Sequence, residues 1–191
     1  PEELEFAACG VPLIGKHQKY NAALASLCAA KTFDIDDPVV ITRGVKNVIK
    51  NTRLQGRYEI VSDKPRIILD SAHNPEGISC LVNQFKKEKN NYKVSSLLFG
   101  AMRDKNIDEM LLLVKDSFAN IYFYEINYER AASIGLLTER AEKRGIIFSV
   151  VKNLEEFIKL QMHGDKDNCL VVAGSMYLLG EIKSFLPEIK S

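Results

Sequence analysis

The sequence predicts an α/β fold of the Rossmann-like type, in which a mainly parallel sheet carries helices on both faces. From residue 56 onward, short runs rich in β-branched and aliphatic residues alternate with segments whose apolar residues recur at helical spacing. The loops between them are short and polar, as compact α/β domains require. Strands that alternate with helices of this length imply βαβ units with right-handed crossovers.

The predicted elements follow one another in a regular order. The first part contains predicted helices at 17–30 and 39–50, followed by a polar linker at 51–55. The α/β part contains predicted strands at 58–62, 66–70, 94–99, 120–126, 146–151 and 169–173. Helices are predicted between and after these strands, at 75–88, 107–115, 133–144, 154–162 and 175–185. The first helix is rich in alanine, which has high helix propensity and permits close packing. Pro38 suits a helix start, because the N–H that proline lacks would be unpaired there.

Composition excludes several classes of protein. Apolar residues make up 46% of the 191 residues, which is enough for a full core, and the net charge is +1. No basic run suits nucleic acid, and no apolar run approaches the roughly 20 residues of a membrane span. Cys9, Cys28, Cys80 and Cys169 form no CxxC pair and no signal peptide is visible, so we expect a cytoplasmic protein. No patch indicates a dimer, and we expect a monomer.

Three polar residues cluster in the loop after the second predicted strand. Asp70 ends that strand, Asn74 can cap the next helix, and Pro75 fits its first turn. Apolar residues at i, i+3, i+4 and i+7 from Ile78 give this helix one apolar face. In open α/β sheets, ligands bind at the carboxyl ends of strands and near helix N-termini, so Asp70, His73 and Asn74 predict a site. The alternative for His73 is a structural role.

Two further side chains could meet an anion. Ser175 follows Gly174 at the end of the last predicted strand, where a hydroxyl and free helix N–H groups suit a carboxylate or phosphate. The alternative for Ser175 is a simple helix cap. Arg57 follows Gly56 at the entrance of the α/β part, where a guanidinium could pair with phosphate oxygens. The alternative for Arg57 is a salt bridge between domains.

One face of the first predicted helix carries His17, Gln18 and Asn21, because positions i, i+1 and i+4 point in similar directions. Two amides and an imidazole could hydrogen-bond an adenine edge. The alternative is packing against another part of the fold.

Several motifs together resemble one known family. Residues 13–22 read Leu-x-Gly-x-His-Gln-x-x-Asn-Ala, residues 56–57 read Gly-Arg, residues 70–75 read Asp-x-Ala-His-Asn-Pro, residues 100–105 read Gly-x-x-x-Asp-Lys, and residues 174–175 read Gly-Ser. In this order they are similar to the C-terminal half of the folylpolyglutamate synthase/dihydrofolate synthase family, in the Mur ligase superfamily. The motifs span most of the chain.

The resemblance implies a domain organisation and a role for each motif residue. Residues 1–52 would be the C-terminal end of the central ATPase domain, and residues 53–191 would be the glutamate-ligase domain. Arg57 would reach ATP phosphate, Asp70 would contact the ribose or order its loop, and His17, Gln18 and Asn21 would face adenine. His73, Asn74 and Ser175 would seat the incoming glutamate, with His73 and Asp70 as the catalytic residues.

The resemblance also implies a reaction and its substrates. ATP would phosphorylate a carboxylate of folate or dihydropteroate, and the amine of L-glutamate would attack the acyl phosphate, with Mg²⁺ stabilising the transferred group. The 191 residues contain no Gly-x-x-x-x-Gly-Lys-Ser/Thr. We therefore expect the phosphate-binding loop and the metal ligands in a missing N-terminal part of the ATPase domain, and we expect this chain alone to be inactive.

Two other functions stay open. The chain could belong to another Mur-type ligase that acts on cell-wall precursors, or it could be a non-catalytic Rossmann-like binding module. The His17-Gln18 pair favours the folate enzymes over the cell-wall enzymes, which more often resemble His-Asn at these positions.

Overall fold

The computed structural model describes residues 10–35 and 37–190, with side chains up to residue 186. Cys9 and the predicted start of the first domain therefore lie outside the described residues. The chain forms two units that divide between Arg57 and Tyr58, and each is described by itself. The sequence placed this division between residues 52 and 53, and the assignment of the two parts to an ATPase domain and a ligase domain stays a prediction.

The first unit is helical. It contains α1 (Lys16–Phe33), α2 (Pro38–Lys46) and α3 (Val48–Thr52). Asp37 caps α2, because its carboxylate accepts a hydrogen bond from the Val39 N–H at 2.8 Å. The single helix predicted at 39–50 is divided at Asn47, whose side-chain amide and backbone N–H both donate to the Arg43 carbonyl and end α2 there.

The second unit is a six-stranded mixed sheet with helices. Its strands are β1 (Glu59–Asp63), β2 (Arg66–Leu69), β3 (Ser95–Phe99), β4 (Asn120–Phe123), β5 (Ser149–Val150) and β6 (Cys169–Ala173), in the spatial order β1-β2-β6-β3-β4-β5. Its helices are α4 (Pro75–Phe85), α5 (Ile107–Val114), α6 (Ile134–Glu142), α7 (Leu154–Met162) and α8 (Met176–Lys190). Strand β1 pairs antiparallel with β2, and the other pairings are parallel.

Helices cover both faces of the sheet, which confirms the predicted fold class. Alternate residues of β6 point to opposite sides: Val171 lies in a core with α4, α5 and α6, whereas Leu170 and Val172 lie in a core with α7 and α8. All five residues of β6 are buried, as expected for a central strand covered on both faces.

The predictions are wrong in detail at the edges of this unit. The strand predicted at 146–151 is only Ser149–Val150, because β5 pairs with a single neighbour and Ile147 is 93% exposed. The loop predicted after the first helix of this unit contains a short 3₁₀ helix, Lys89–Asn91. Among the described residues, no helix combines the length and the apolar character that crossing a membrane requires.

The order of the strands creates a crevice at one edge of the sheet. Strands β2 and β6 are parallel neighbours, but α4, which follows β2, packs on one face and α8, which follows β6, packs on the other. The two loops therefore leave the carboxyl ends of adjacent strands in opposite directions. In open α/β sheets such a switch point is where ligands bind.

Candidate active site at the carboxyl edge of the sheet

Backbone hydrogen bonds join the two loops at the switch point. Asp70 N–H donates to the Val172 carbonyl at 2.9 Å, and Gly174 N–H donates to the Ala72 carbonyl at 2.8 Å. The parallel pairing of β2 with β6 thus continues beyond the strands into the loops. The loop with Asp70, His73 and Asn74 and the loop with Ser175 consequently lie side by side.

Gly174 permits a close approach of a third loop. Its φ is +108°, and a Cβ built on it would lie 2.4 Å from the carbonyl oxygen of Gly100 and 2.9 Å from the Phe99 ring. No side chain fits at that distance, and the backbone conformation itself favours glycine. Gly174 therefore lets the end of β6 pack directly against the end of β3.

Asp70 holds its loop in shape. One carboxylate oxygen accepts the Tyr58 N–H at 2.8 Å and the other accepts the Ala72 N–H at 2.9 Å. Tyr58 has φ +51°, so this bond helps to hold a backbone conformation that is uncommon outside glycine. Of the two roles that the family resemblance implies, the geometry favours ordering of the loop; contact with the nucleotide stays a prediction.

His73 presents one ring nitrogen that has no partner among the described residues. Its Nδ1 lies 2.8 Å from the Ser71 carbonyl, which can only accept, so we assign the proton to Nδ1. The neutral ring then carries its lone pair on Nε2, and the side chain is half-buried rather than enclosed. His73 can therefore accept a proton at Nε2 or, when protonated, donate there to a carboxylate.

Ser175 is buried with its hydroxyl only partly satisfied. Its Oγ accepts the Tyr177 N–H at 3.1 Å in the manner of a helix cap, and the residue is 2% exposed. Within the described part of the chain the hydroxyl hydrogen has no acceptor. A buried O–H without an acceptor is costly, so a ligand that accepts from Ser175 would be stabilised. Cap and ligand-binding roles are thus compatible.

Asn74 is the cap of α4. Its Oδ1 accepts the Gly77 N–H at 2.8 Å, and its carbonyl accepts the Ile78 N–H at 2.9 Å. The side chain is exposed, so its amide N–H₂ faces solvent beside His73. The predicted cap is confirmed, and contact with a substrate stays a prediction.

The first unit holds the other predicted site residues around one cavity. Gln18, Asn21 and Arg57 line a cavity of about 520 Å³ whose walls are otherwise mostly aliphatic. Gln18 donates to Nε2 of His17 at 2.9 Å and accepts from the Asn21 amide at 3.2 Å, so the three predicted adenine-facing residues form one hydrogen-bonded chain. His17 contacts Gln18 through this hydrogen bond but is not among the residues that line the cavity.

The polar part of the cavity wall keeps unused hydrogen-bonding groups. One N–H of Gln18 and Oδ1 of Asn21 have no partner among the described residues, and together they offer the donor and acceptor that an adenine edge requires. Aliphatic walls suit the flat faces of a purine, and the volume is within the usual range for small-molecule sites. Residues 10–35 and 37–190 contain no set of three or more histidine, cysteine, aspartate or glutamate side chains that could hold a metal ion.

The carboxyl edge also contains residues that the sequence did not single out. Tyr177, in the first turn of α8, stacks on Tyr128, in the loop after β4. These residues are 49 positions apart, and only the position of Tyr177 two residues after Ser175 is a local signal. By contrast, the sequence did single out Asp104 and Lys105, as part of the Gly-x-x-x-Asp-Lys motif. Asp104 forms ion pairs with Arg130 at 3.1 Å and Lys105 at 3.7 Å, which shape the loop after β3.

Comparisons with known proteins give matches over most of the chain. The family described as Mur ligase, glutamate ligase domain, matches residues 56–176. The dihydrofolate synthase/folylpolyglutamate synthase of Bacillus subtilis is 26% identical over 186 residues, which cover 97% of this chain and 43% of that protein. The folylpolyglutamate synthase of Lacticaseibacillus casei is 25% identical, over 95% of this chain and 41% of that protein.

Solved structures agree on the fold. The Mycobacterium tuberculosis folylpolyglutamate synthase complexed with ADP superimposes with a TM-score of 0.81 at 22% identity, over 95% of this chain and 42% of that chain. The Thermotoga maritima folylpolyglutamate synthase gives a TM-score of 0.69 at 28% identity, over 93% of this chain and 40% of that chain. The chain thus spans less than half the length of the relatives it matches.

Proposed function

Because this chain belongs to the Mur ligase family through its glutamate ligase domain, we propose that it is the C-terminal part of an ATP-dependent ligase that adds L-glutamate to folate or dihydropteroate. The family resemblance inferred from the motifs is confirmed by the match to residues 56–176. The folate substrate is favoured over a cell-wall precursor by the names of the relatives, which are folylpolyglutamate and dihydrofolate synthases.

One observation carries the proposal. The unpartnered Nε2 of His73 and the unsatisfied hydroxyl of Ser175 lie in two loops that are hydrogen-bonded to each other at the switch point of the sheet. An unused buried hydroxyl hydrogen at this edge supports a ligand site over a purely structural role of Ser175. An amino acid would satisfy both groups, because its ammonium group can donate to Nε2 of His73 and its carboxylate can accept from the Ser175 hydroxyl.

The residues would share the work as follows. Ser175 and Asn74 would donate to glutamate carboxylate oxygens and hold the amino acid in the crevice. His73 would take a proton from the ammonium group through Nε2, since only a neutral amine attacks an acyl group. Asp70 would act as a positioning residue, because its two backbone hydrogen bonds fix the loop that carries His73.

The first unit would contribute to nucleotide binding. ATP, when bound, supplies the phosphoryl group that activates the carboxylate of the acceptor. Gln18 and Asn21 would hydrogen-bond the adenine edge, and Arg57 would pair with phosphate. We propose that this unit is part of a larger ATPase domain, since Tyr20, Leu24 and other apolar side chains of α1 are more than half exposed on the described residues.

Binding of L-glutamate to the chain tests the proposal. We expect saturable changes in the ¹⁵N–¹H spectrum at Ala72, His73 and Ser175, with a Kd of about 1 mM, a binding free energy of about −4 kcal/mol. His73→Ala and Ser175→Ala should each weaken binding by at least about tenfold, the effect of one hydrogen bond to a charged group.

Two variants serve as matched controls for this titration. His163→Ala and Ser184→Ala alter an exposed histidine and an exposed serine outside the crevice, and they should leave the affinity unchanged. Absence of saturable shifts at the crevice, or equal weakening by the control variants, would refute the glutamate site.

Catalysis provides a second test. We propose that the 191-residue chain alone releases no phosphate from ATP in a glutamate-dependent manner, because its sequence has no phosphate-binding loop motif. Robust turnover by the chain alone would contradict this part of the proposal and leave the glutamate site standing. Cytoplasmic location and a monomeric state stay predictions.

A further inference from the structure

A pair of tyrosines on the carboxyl edge of the sheet brings two hydroxyl groups together, and the packing of the rings does not require these hydroxyls. The rings of Tyr128 and Tyr177 stack with centroids 4.0 Å apart and planes inclined by 22°, and their hydroxyl oxygens lie 3.2 Å apart. Tyr177 is 46% exposed, whereas Leu178 and Leu179, which follow it on α8, are buried in the core. Tyr128 is half-buried and packs against the core beneath α7 and α8, whereas the Tyr177 ring covers it from the solvent side.

The pair lies on the other side of Ser175 from His73. In the spatial order β2-β6-β3-β4, His73 follows β2, Ser175 follows β6 and Tyr128 follows β4. Tyr177 reaches from the β6 loop toward β4, and its own N–H is held by Ser175 Oγ at 3.1 Å. Two strand spacings separate β6 from β4, roughly 10 Å. An amino acid seated on Ser175 would thus extend between His73 and the tyrosine pair.

The loop that carries Tyr128 is held rigidly. Glu181, one turn after Tyr177 on α8, accepts from the Tyr124 hydroxyl at 2.9 Å and from the Asn127 N–H at 2.7 Å. The Ala131 N–H donates to the Tyr128 carbonyl at 2.9 Å and closes a tight turn. A ligand that binds this pair would therefore lose little affinity to ordering of the loop.

Hydrogen-bond capacity identifies the chemistry of the ligand. Two phenols carry two O–H hydrogens, and their mutual hydrogen bond uses one of them. The second hydrogen has no acceptor among the described residues. A donor fixed on an aromatic surface, next to a site for an amino acid, suits the acceptor oxygens of a carboxylate.

We propose that the Tyr128–Tyr177 hydroxyl pair binds the side-chain carboxylate of the incoming amino acid and selects glutamate over amino acids without this group. The proposal rests on the proposed function, because it places a second carboxylate contact in the same crevice. His73, Asn74 and Ser175 would recognise the groups that all α-amino acids share, and the tyrosine pair would recognise the group that distinguishes glutamate.

Removing one hydroxyl at a time tests the proposal. Tyr177→Phe and Tyr128→Phe keep the stacked rings, so we expect the fold to be retained and the affinity for L-glutamate to fall by about tenfold or more in each, as for loss of a hydrogen bond to a charged group. The affinity for L-alanine, which has no side-chain carboxylate, should stay unchanged. The same spectral titration measures both, and Tyr122→Phe, on β4, is the matched control and should behave as the unaltered chain.

The outcomes separate this inference from the proposed function. If the unaltered chain binds glutamate at Ser175 and both tyrosine variants bind it equally well, the inference is overturned and the glutamate site stands. If the variants lose affinity for alanine as much as for glutamate, the pair has a structural role and the inference is also overturned. If the unaltered chain binds no glutamate, both proposals fail.

Discussion

The second unit contains two clusters of polar side chains that differ in what they leave unsatisfied. One is the crevice at the carboxyl edge described above. The other, here called the phenol–carboxylate cluster, joins four residues around the end of α4: Tyr58, Arg66, Glu88 and Tyr92. One oxygen of Glu88 accepts from Tyr58 and the other accepts from Tyr92 at 2.5 Å, while Arg66 donates to Tyr92 at 3.2 Å.

The contrast indicates which cluster is structural and which is functional. In the phenol–carboxylate cluster both phenol hydrogens and both carboxylate oxygens are used, so the cluster has little capacity left for a ligand. In the crevice, Nε2 of His73 and the hydroxyl hydrogen of Ser175 have no partner on the described residues. Polar groups that stabilise a fold satisfy one another, whereas groups that bind a ligand keep capacity for it.

The largest effect on stability is expected from Gly174→Ala, which disrupts the close packing of the loops that form the crevice. The new Cβ would lie 2.4 Å from the Gly100 carbonyl oxygen at a φ of +108°. We expect the free energy of unfolding, measured with urea, to fall by about 3 kcal/mol or more, since backbone strain adds to the overlap.

A second glycine supplies the control for this prediction. Gly180 lies within α8 with no atom within 4 Å of a built Cβ, so Gly180→Ala should stabilise the chain by about 1 kcal/mol through helix propensity. A Gly174→Ala variant as stable as the unaltered chain would show that the loops at the switch point are not held by this close approach.

A smaller loss is expected from Glu88→Gln in the phenol–carboxylate cluster. The neutral amide keeps only one acceptor oxygen, so at most one phenol retains its hydrogen bond, and we expect a loss of about 2 kcal/mol in unfolding free energy. Binding of L-glutamate should stay the same, because the cluster is joined to the crevice through Tyr58, whose backbone N–H the substitution leaves on Asp70. Glu142→Gln, on the exposed surface, is the control. Equal stability of the two variants, or weakened glutamate binding in Glu88→Gln, would contradict a structural role for the phenol–carboxylate cluster and a separate binding role for the crevice.

Local sequence patterns predicted the central elements of the fold well. The strand predicted at 169–173 and the helix predicted at 154–162 have the same bounds as β6 and α7. Each is a clear apolar pattern with polar loop residues on both sides. The edge strand β5 and the break at Asn47 were missed, because pairing partners and side-chain capping decide them rather than hydrophobic periodicity. The spatial order of the strands, with β6 between β2 and β3, has no local signal at all.

The candidate site was predictable only in part. His73 and Ser175 could be found because each follows a predicted strand, and the carboxyl ends of parallel strands meet at one edge. The restraint of Asp70 by Tyr58 and Ala72, and the contact of Gly174 with Gly100, depend on loop conformations that no periodicity encodes. Tyr128 could not be found, because its partner lies 49 residues away.

The smallest effect is expected from alkaline pH. Burial and the hydrogen bond to Glu88 raise the pKa of Tyr92 to about 12 and also raise that of Tyr58, whereas both unfolded phenols titrate near 10. The folded chain then holds protons that the unfolded chain releases, so the free energy of unfolding falls as pH rises above 10. Tyr92→Phe removes one of these groups and should make the fall shallower, by less than about 1 kcal/mol at pH 11 after solvent screening. Urea titrations between pH 8 and about 11 measure this slope.

Tyr124→Phe provides the matching test at the carboxyl edge, where burial and the hydrogen bond to Glu181 raise the pKa of the Tyr124 phenol to about 12. The phenol–carboxylate cluster holds two phenols with raised pKa values, so the Tyr58→Phe/Tyr92→Phe double variant should reduce the dependence of unfolding free energy on pH more than Tyr124→Phe does. The opposite order would contradict this and place the stronger proton linkage at the carboxyl edge.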